Sequence, residues 1–197
     1  MRVIVDSREQ APFPFRGPRY EGVTVEVGAL SVGDYSLAGL ADRVAVERKS
    51  LPDLVMCLGR ERERFERELA RGAALDAFCV VVEASWADLA GGQYRSRMNP
   101  HAACQSVAAF MGRYRLPFLF AGSRPAAEYC TWSFLLQGVP ALVLAPHVWP
   151  GKVRGGGGGT SRSSCAVSRL MLAHRSSILL ASVLLRTALT CIPPLLF

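Results

Sequence analysis

Gly33-Asp34-Tyr35-Ser36-Leu37-Ala38, then Gly39-Leu40-Ala41-Asp42, then Arg43-Val44-Ala45-Val46-Glu47-Arg48-Lys49 is the stretch that decides the fold. Residues 34–38 and 43–49 read as strands, and the glycine-led segment 39–42 reads as the reversal between them. A loop of that length sets Ala38 against Arg43, and stepping back along both strands brings Asp34 opposite Glu47. Directly opposed residues share a sheet face, with Cβ atoms about 4.5–5.5 Å apart. Two carboxylates that close repel unless a cation lies between them or one holds a proton. A hard divalent ion such as Mg²⁺ takes oxygen ligands in this arrangement. Lys49 lies two residues past Glu47, so strand alternation aims it to the same side. The reading depends on the turn, because a slip of one residue sends one carboxylate to the opposite face.

Outward from the hairpin, Met1 to Val5 is an apolar run ending at Asp6, and Gly22 to Val27 alternates with a period of two. Ser50 is placed to cap a helix with Pro52 and Asp53 in its first turn. Leu54, Leu58, Phe65 and Leu69 mark one apolar stripe at helical spacing. Arg60 to Arg71 interleaves Glu and Arg, with Arg62–Glu66 and Glu63–Arg67 spaced as i,i+4 pairs, and reads as a solvated face. Phe78 to Val82 reads as a buried strand, Pro100 to Arg115 as a helix, Leu116 to Ala121 as a strand and Pro125 to Leu136 as a last helix. An antiparallel meander followed by β-α-β-α predicts an α/β domain with a mixed sheet flanked by helices over residues 1–137.

The chain has 197 residues, enough for one ordinary domain and a tail. Its net charge of +7 is uneven: all 16 acidic residues precede position 151, and the tail beyond carries only basic ones. The bulk charge therefore says little about nucleic-acid binding by the folded part. Residues 138–197 read as a low-complexity Gly/Ser/Arg-rich and apolar tail without a fold of its own. It contains the glycine run 155–159 and an apolar segment from Ser176 to Phe197 broken by Arg186. That segment is open to three readings: a membrane-associating stretch, a helix packed on a partner, or the product of a shifted reading frame. The last is preferred, and no function is assigned to it. No run of about 18 apolar residues is present, so a membrane span is not expected. The early Asp6 and Glu9 argue against a signal peptide, giving an expectation of a cytoplasmic protein, or a nuclear one in a eukaryote. Six scattered cysteines without a C-x-x-C pair argue against a zinc site or disulfide framework. The three histidines have no metal spacing, and no G-x-S-x-G elbow occurs.

The carboxylates and lysine suit metal-assisted hydrolysis of a phosphodiester, with Lys49 assisting electrostatically. Asp6, ending its own strand, is a candidate third oxygen ligand or a holder of metal-bound water. Taken singly, each of these residues is as readily a solvated surface group; the set with its spacing is what points to a site. Val5-Asp6-Ser7-Arg8-Glu9, Gly33-Asp34-Tyr35 and Glu47-Arg48-Lys49-Ser50-Leu51-Pro52-Asp53-Leu54 together resemble the nuclease domain of the XPF/Hef family. The similarity continues through Arg64-Phe65, Tyr94-Arg95-Ser96 and Arg113-Tyr114, over roughly residues 1–137.

The resemblance implies a restriction-endonuclease-like fold and a Mg²⁺- or Mn²⁺-dependent endonuclease. Its substrate would be branched, flapped or distorted DNA during repair or recombination. It makes Asp34 and Glu47 metal ligands, Lys49 the catalytic lysine, and Asp6 and Asp53 further acidic positions of the site. For Asp53, a carboxylate favoured by the helix N-terminus is an equally good account. Nothing after Leu136 resembles the helix-hairpin-helix modules common in the family. DNA contacts would then fall to Arg8 and Arg48 near the motif, Arg62 and Arg64 on the charged helix, and Tyr94, Arg95 and Arg97 in the loop after Gly92. A homodimer or a partner nuclease subunit is expected from the family's habit of pairing. The alternative function is a non-catalytic DNA-binding or scaffold subunit, although such partners lose the acidic and lysine positions that this chain retains.

Overall fold

The computed structural model describes the backbone of residues 1–144 and the side chains through Gly138. Among these residues six strands form one sheet: β1 (Arg2–Asp6), β2 (Thr24–Gly28), β3 (Tyr35–Leu37), β4 (Val44–Lys49), β5 (Ala77–Val82) and β6 (Phe118–Phe120). Their spatial order is β2-β1-β3-β4-β5-β6. Five run in one direction, and β3 alone runs against them between β1 and β4. This is the mixed sheet expected, with one difference in its first half. β2 is not a meander neighbour of β3 but an edge strand parallel to β1. The long connection from residue 7 to 23 makes that crossover, and its Phe13, Phe15 and Tyr20 are buried. Sequential strands usually neighbour one another, and no local signal in 22–27 distinguishes the two pairings.

Among the described residues five α-helices cover the sheet: α1 (Leu51–Leu58), α2 (Arg62–Gly72), α3 (Trp86–Ala90), α4 (Pro100–Tyr114) and α5 (Arg124–Leu144). One apolar core joins α1 to α4 with Ala45, Phe78, Val80, Val82 and Phe118. A second joins α5 and the aromatic crossover with Val3, Val5, Tyr35, Leu37, Val44 and Val46. Alternation along β4 is thus strict: Val44 and Val46 go to the α5 side, Ala45 to the other.

The single stripe of Leu54, Leu58, Phe65 and Leu69 is carried by two helices, because the chain breaks at Gly59, whose N–H closes back on the Met56 carbonyl. α3 was not expected, although Ser85 and Asp88 form a capping box at its start. α5 runs past Leu136, the end expected for the last helix. Gly138 lies close against β4: a Cβ there would be 3.3 Å from Val44 Cγ2. Cys57 and Cys79 are buried free thiols, and Cys104 and Cys130 are half-buried. Among the described residues no helix is long and apolar enough to cross a membrane. The readings placed on residues 145–197 lie outside the described residues.

Candidate active site

The hairpin has the expected register. Tyr35 pairs with Val46 and Ser36 with Ala45, and Asp34 N–H donates to the Val46 carbonyl at 2.8 Å. The ladder ends there, and Asp34, just outside β3, comes together with Glu47 as a neighbour lining the same cleft. Gly33 makes this possible. It adopts φ +77°, and a Cβ there would come within 3.0 Å of Ala45 Cβ and the Val46 carbonyl oxygen. Asp34, Glu47 and Lys49 lie on the α1–α4 side of the sheet and line a cleft of about 440 Å³ at the carboxyl ends of the parallel strands. An adjoining hollow of about 270 Å³ shares Asp34 and Lys49 and reaches Asp53.

Glu47 is 2% exposed. Its Oε1 accepts from the Lys49 ammonium, while its Oε2 is buried without a hydrogen-bond partner among the described residues. Asp34 Oδ2 accepts from Arg48 N–H at 2.7 Å. Burial, with only partial relief from that N–H and from Lys49, pushes the Asp34 carboxyl up to about 6. Burial and then the charge of Asp34 hold the Glu47 carboxyl well above its usual range. Burial alone would lower Lys49, but Glu47, and Glu68 at 4.0 Å, outweigh it and raise the ammonium above its ordinary value. These residues fit a divalent cation: two carboxylates on one face, both resisting ionisation by themselves, and one buried oxygen with no donor. An unsatisfied buried carboxylate oxygen is costly unless a cation or a proton meets it.

Asp6 is placed differently. Its Oδ1 accepts from Arg8 N–H at 2.8 Å and Arg8 Nε at 2.7 Å, and its Oδ2 from Leu30 N–H at 2.8 Å and Arg8 Nη2 at 3.0 Å. The Arg8 side-chain bonds, opposed by burial and helped by the two backbone donors, hold its carboxyl down at about 2. Both oxygens are therefore engaged in fixing the turn after β1. Among the described residues no set of three His, Cys, Asp or Glu side chains forms a metal-binding group. Asp53 sits in the first turn of α1, where Ser50 Oγ donates to Oδ2 at 2.6 Å.

The basic residues divide. Arg8 and Arg64 line the cleft and are 74% and 66% exposed. Arg48 points to the opposite side from Glu47 and is 12% exposed, ion-paired with Glu9 at 2.9 Å and Glu83 at 3.1 Å. Arg62 bridges to Glu66 at 3.0 Å and Ser106 at 3.1 Å, and lies over the Phe110 ring, tying α2 to α4. Arg95 and Arg97 are exposed and line neither hollow, while Tyr94 is half-buried, its hydroxyl donating to the Met98 carbonyl.

Sequence reasoning missed Glu68, Arg67 and Arg71 as cleft residues by treating the charged helix as wholly solvated. The signal was present in the i, i+4, i+7 spacing of Arg64, Glu68 and Arg71. It also missed Arg124, which is 40% exposed, joins Glu83 at 2.6 Å and closes the chain Glu9–Arg48–Glu83–Arg124. Nothing in the sequence spacing marks that chain.

The sheet, its one reversed strand and the cleft at its carboxyl end define an XPF-like fold. XPF from Aeropyrum pernix matches with a TM-score of 0.56 at 20% identity, covering 87% of this chain and 72% of that one. XPF from Aeropyrum pernix in complex with DNA matches with a TM-score of 0.54 at 24% identity, covering 71% and 66% respectively. No curated protein matches the chain. The model of the ERCC4 domain matches residues 5–131, and the chain belongs to that family.

Proposed function

We propose that the chain is a metal-dependent endonuclease that hydrolyses DNA phosphodiester bonds in branched, flapped or otherwise distorted DNA, as repair or recombination requires. The observation that carries this reading is the meeting of Asp34 and Glu47 in one open cleft, beside a lysine ammonium, with Glu47 Oε2 buried and without a hydrogen-bond partner among the described residues. Asp34 and Glu47 would hold Mg²⁺ or Mn²⁺. Asp6 shapes the turn beside them, and Asp53 braces α1. A divalent ion bound there supplies electrophilic activation of a phosphate and lowers the pKa of water.

The chain's own residues do the rest. Lys49 is fixed by Glu47 and raised in pKa, so at neutral pH it acts as a standing positive charge rather than as a proton acceptor. Such a preorganised charge stabilises the extra negative charge that develops on a phosphate under attack. Arg8 and Arg64 are exposed at the cleft to meet flanking phosphates. The buried Arg48 holds the strand in place from behind. A DNA substrate places the work inside the cell, and a second nuclease subunit, identical or not, is an expected partner.

The test is a cleavage panel of duplex, splayed, flapped and four-way DNA with Mg²⁺ or Mn²⁺, repeated in EDTA. Wild type should cut at least one branched form only with metal. Lys49→Ala should slow cutting by about 10²–10³-fold, and Asp34→Ala and Glu47→Ala should abolish it, each with an unchanged circular dichroism spectrum. Binding without cutting under every metal condition would instead favour a non-catalytic DNA-binding subunit.

A further inference from the structure

The charges on α2 are sorted by face. Glu61 pairs with Arg64 at 2.8 Å, Glu66 with Arg62 at 3.0 Å and with Arg113 at 3.5 Å, and Glu68 with Lys49 at 4.0 Å. The Glu63–Arg67 pair that the spacing allows is not among the ion pairs of the described residues, and neither Arg67 nor Arg71 has another ion-pair partner among them. Arg64, Arg67 and Arg71 recur at intervals of three and four residues, which places them on one helical face. All three are exposed, and all three line the cleft that contains Asp34, Glu47 and Lys49. Glu66 and Glu68 serve other residues and Arg64 keeps Glu61, while Arg67 and Arg71 face the site without an ion-pair partner among the described residues. Arg64 to Arg71 spans about 10 Å of helix axis, roughly the rise of three nucleotides along one DNA strand.

We propose that Arg67 and Arg71 continue from Arg64 as a phosphate track that holds the backbone of the cut strand along α2. Guanidinium–phosphate contacts carry no base information, so the grip is independent of sequence. The inference rests on the endonuclease reading and adds to it the wall of the cleft along which the substrate strand runs.

Binding of a fluorescein-labelled DNA fork to the full chain, measured by anisotropy in EDTA over 50–200 mM KCl, tests it. Each arginine neutralising one phosphate adds about 0.7–0.9 to the slope of log affinity against log salt. The Arg67→Gln/Arg71→Gln variant should therefore lose about 1.4–1.8 of slope, and Arg71→Gln alone about half that loss. The loss should be the same on a second fork of unrelated sequence. The control is Arg2→Gln/Arg115→Gln, at the end of the sheet from which β1 and β6 start. It should keep the wild-type slope. An unchanged slope in the double variant, or an equal loss in the control, overturns the track. If wild type cuts the fork with Mg²⁺ while the double variant keeps its slope, the track alone falls. If wild type neither binds nor cuts, the endonuclease reading falls first.

Discussion

Asp34 and Glu47 are acids that the fold makes reluctant to ionise, and this has a measurable signature. The Asp34 carboxyl titrates at about 6 in the folded chain against 3.8 ordinarily. Between those values the native state holds a proton that the unfolded chain has released, so stability falls as pH rises from about 4 through 6. The decline attributable to Asp34 is about 3 kcal/mol at most. Urea denaturation in EDTA at pH 5 and pH 8 should show it, and Asp34→Asn should be the more stable protein at pH 8. Asp6 acts in the opposite sense. Its carboxyl is lowered to about 2, so its contribution is complete above about 4 and is lost as pH falls through 2. Asp6→Ala leaves the buried Leu30 N–H without its acceptor and should cost about 1–3 kcal/mol at neutral pH. The identities of these side chains were legible in the sequence. Their hydrogen bonds were not, because the four donors to Asp6 depend on where residues 8 and 30 fold back.

At the scale of elements, the register of the β3–β4 hairpin was legible, since loop length and strand alternation are local quantities, although the strands are shorter than expected and Asp34 lies just outside β3. Its weak point is Gly33. Gly33→Ala puts a Cβ into a left-handed conformation costing about 1–2 kcal/mol, and also against Ala45 and the Val46 carbonyl. The expected result is a lower urea midpoint with a larger proportional loss of cleavage, because Asp34 is the next residue. The break between α1 and α2 and the facing of α2 were less legible. Glu and Arg repeat so densely from 60 to 71 that charge alone does not say which stripe meets solvent. The i, i+4, i+7 spacing puts Arg64, Glu68 and Arg71 on one face, and tertiary placement shows that this face looks into the cleft.

For the molecule as a whole, strand order was the least legible property. The pairing of β2 with β1 depends on a crossover whose Phe13, Phe15 and Tyr20 pack under α5, a contact between segments more than a hundred residues apart. The same distance is bridged by the Glu9–Arg48–Glu83–Arg124 chain, which links the crossover, β4, β5 and α5. Arg48→Ala strands Glu9, 3% exposed, while Glu83 keeps Arg124, and should cost about 3 kcal/mol in urea unfolding. Ligand linkage gives a further global readout. At pH 8, Mg²⁺ at a hundred times its dissociation constant should stabilise wild type by about 2.7 kcal/mol. Asp34→Asn should show little of that gain in thermal melts.

The reversal at residues 39–42 also constrains how such a gene can change. Losing or gaining one codon there forces either a bulge or a shifted strand. A shift exchanges Val44 and Val46 for Ala45 and Glu47 between the two cores, turning the acid towards the α5 aromatics. Length variation among descendants of this gene is therefore expected to accumulate in the connection between α3 and α4 and to spare those four positions.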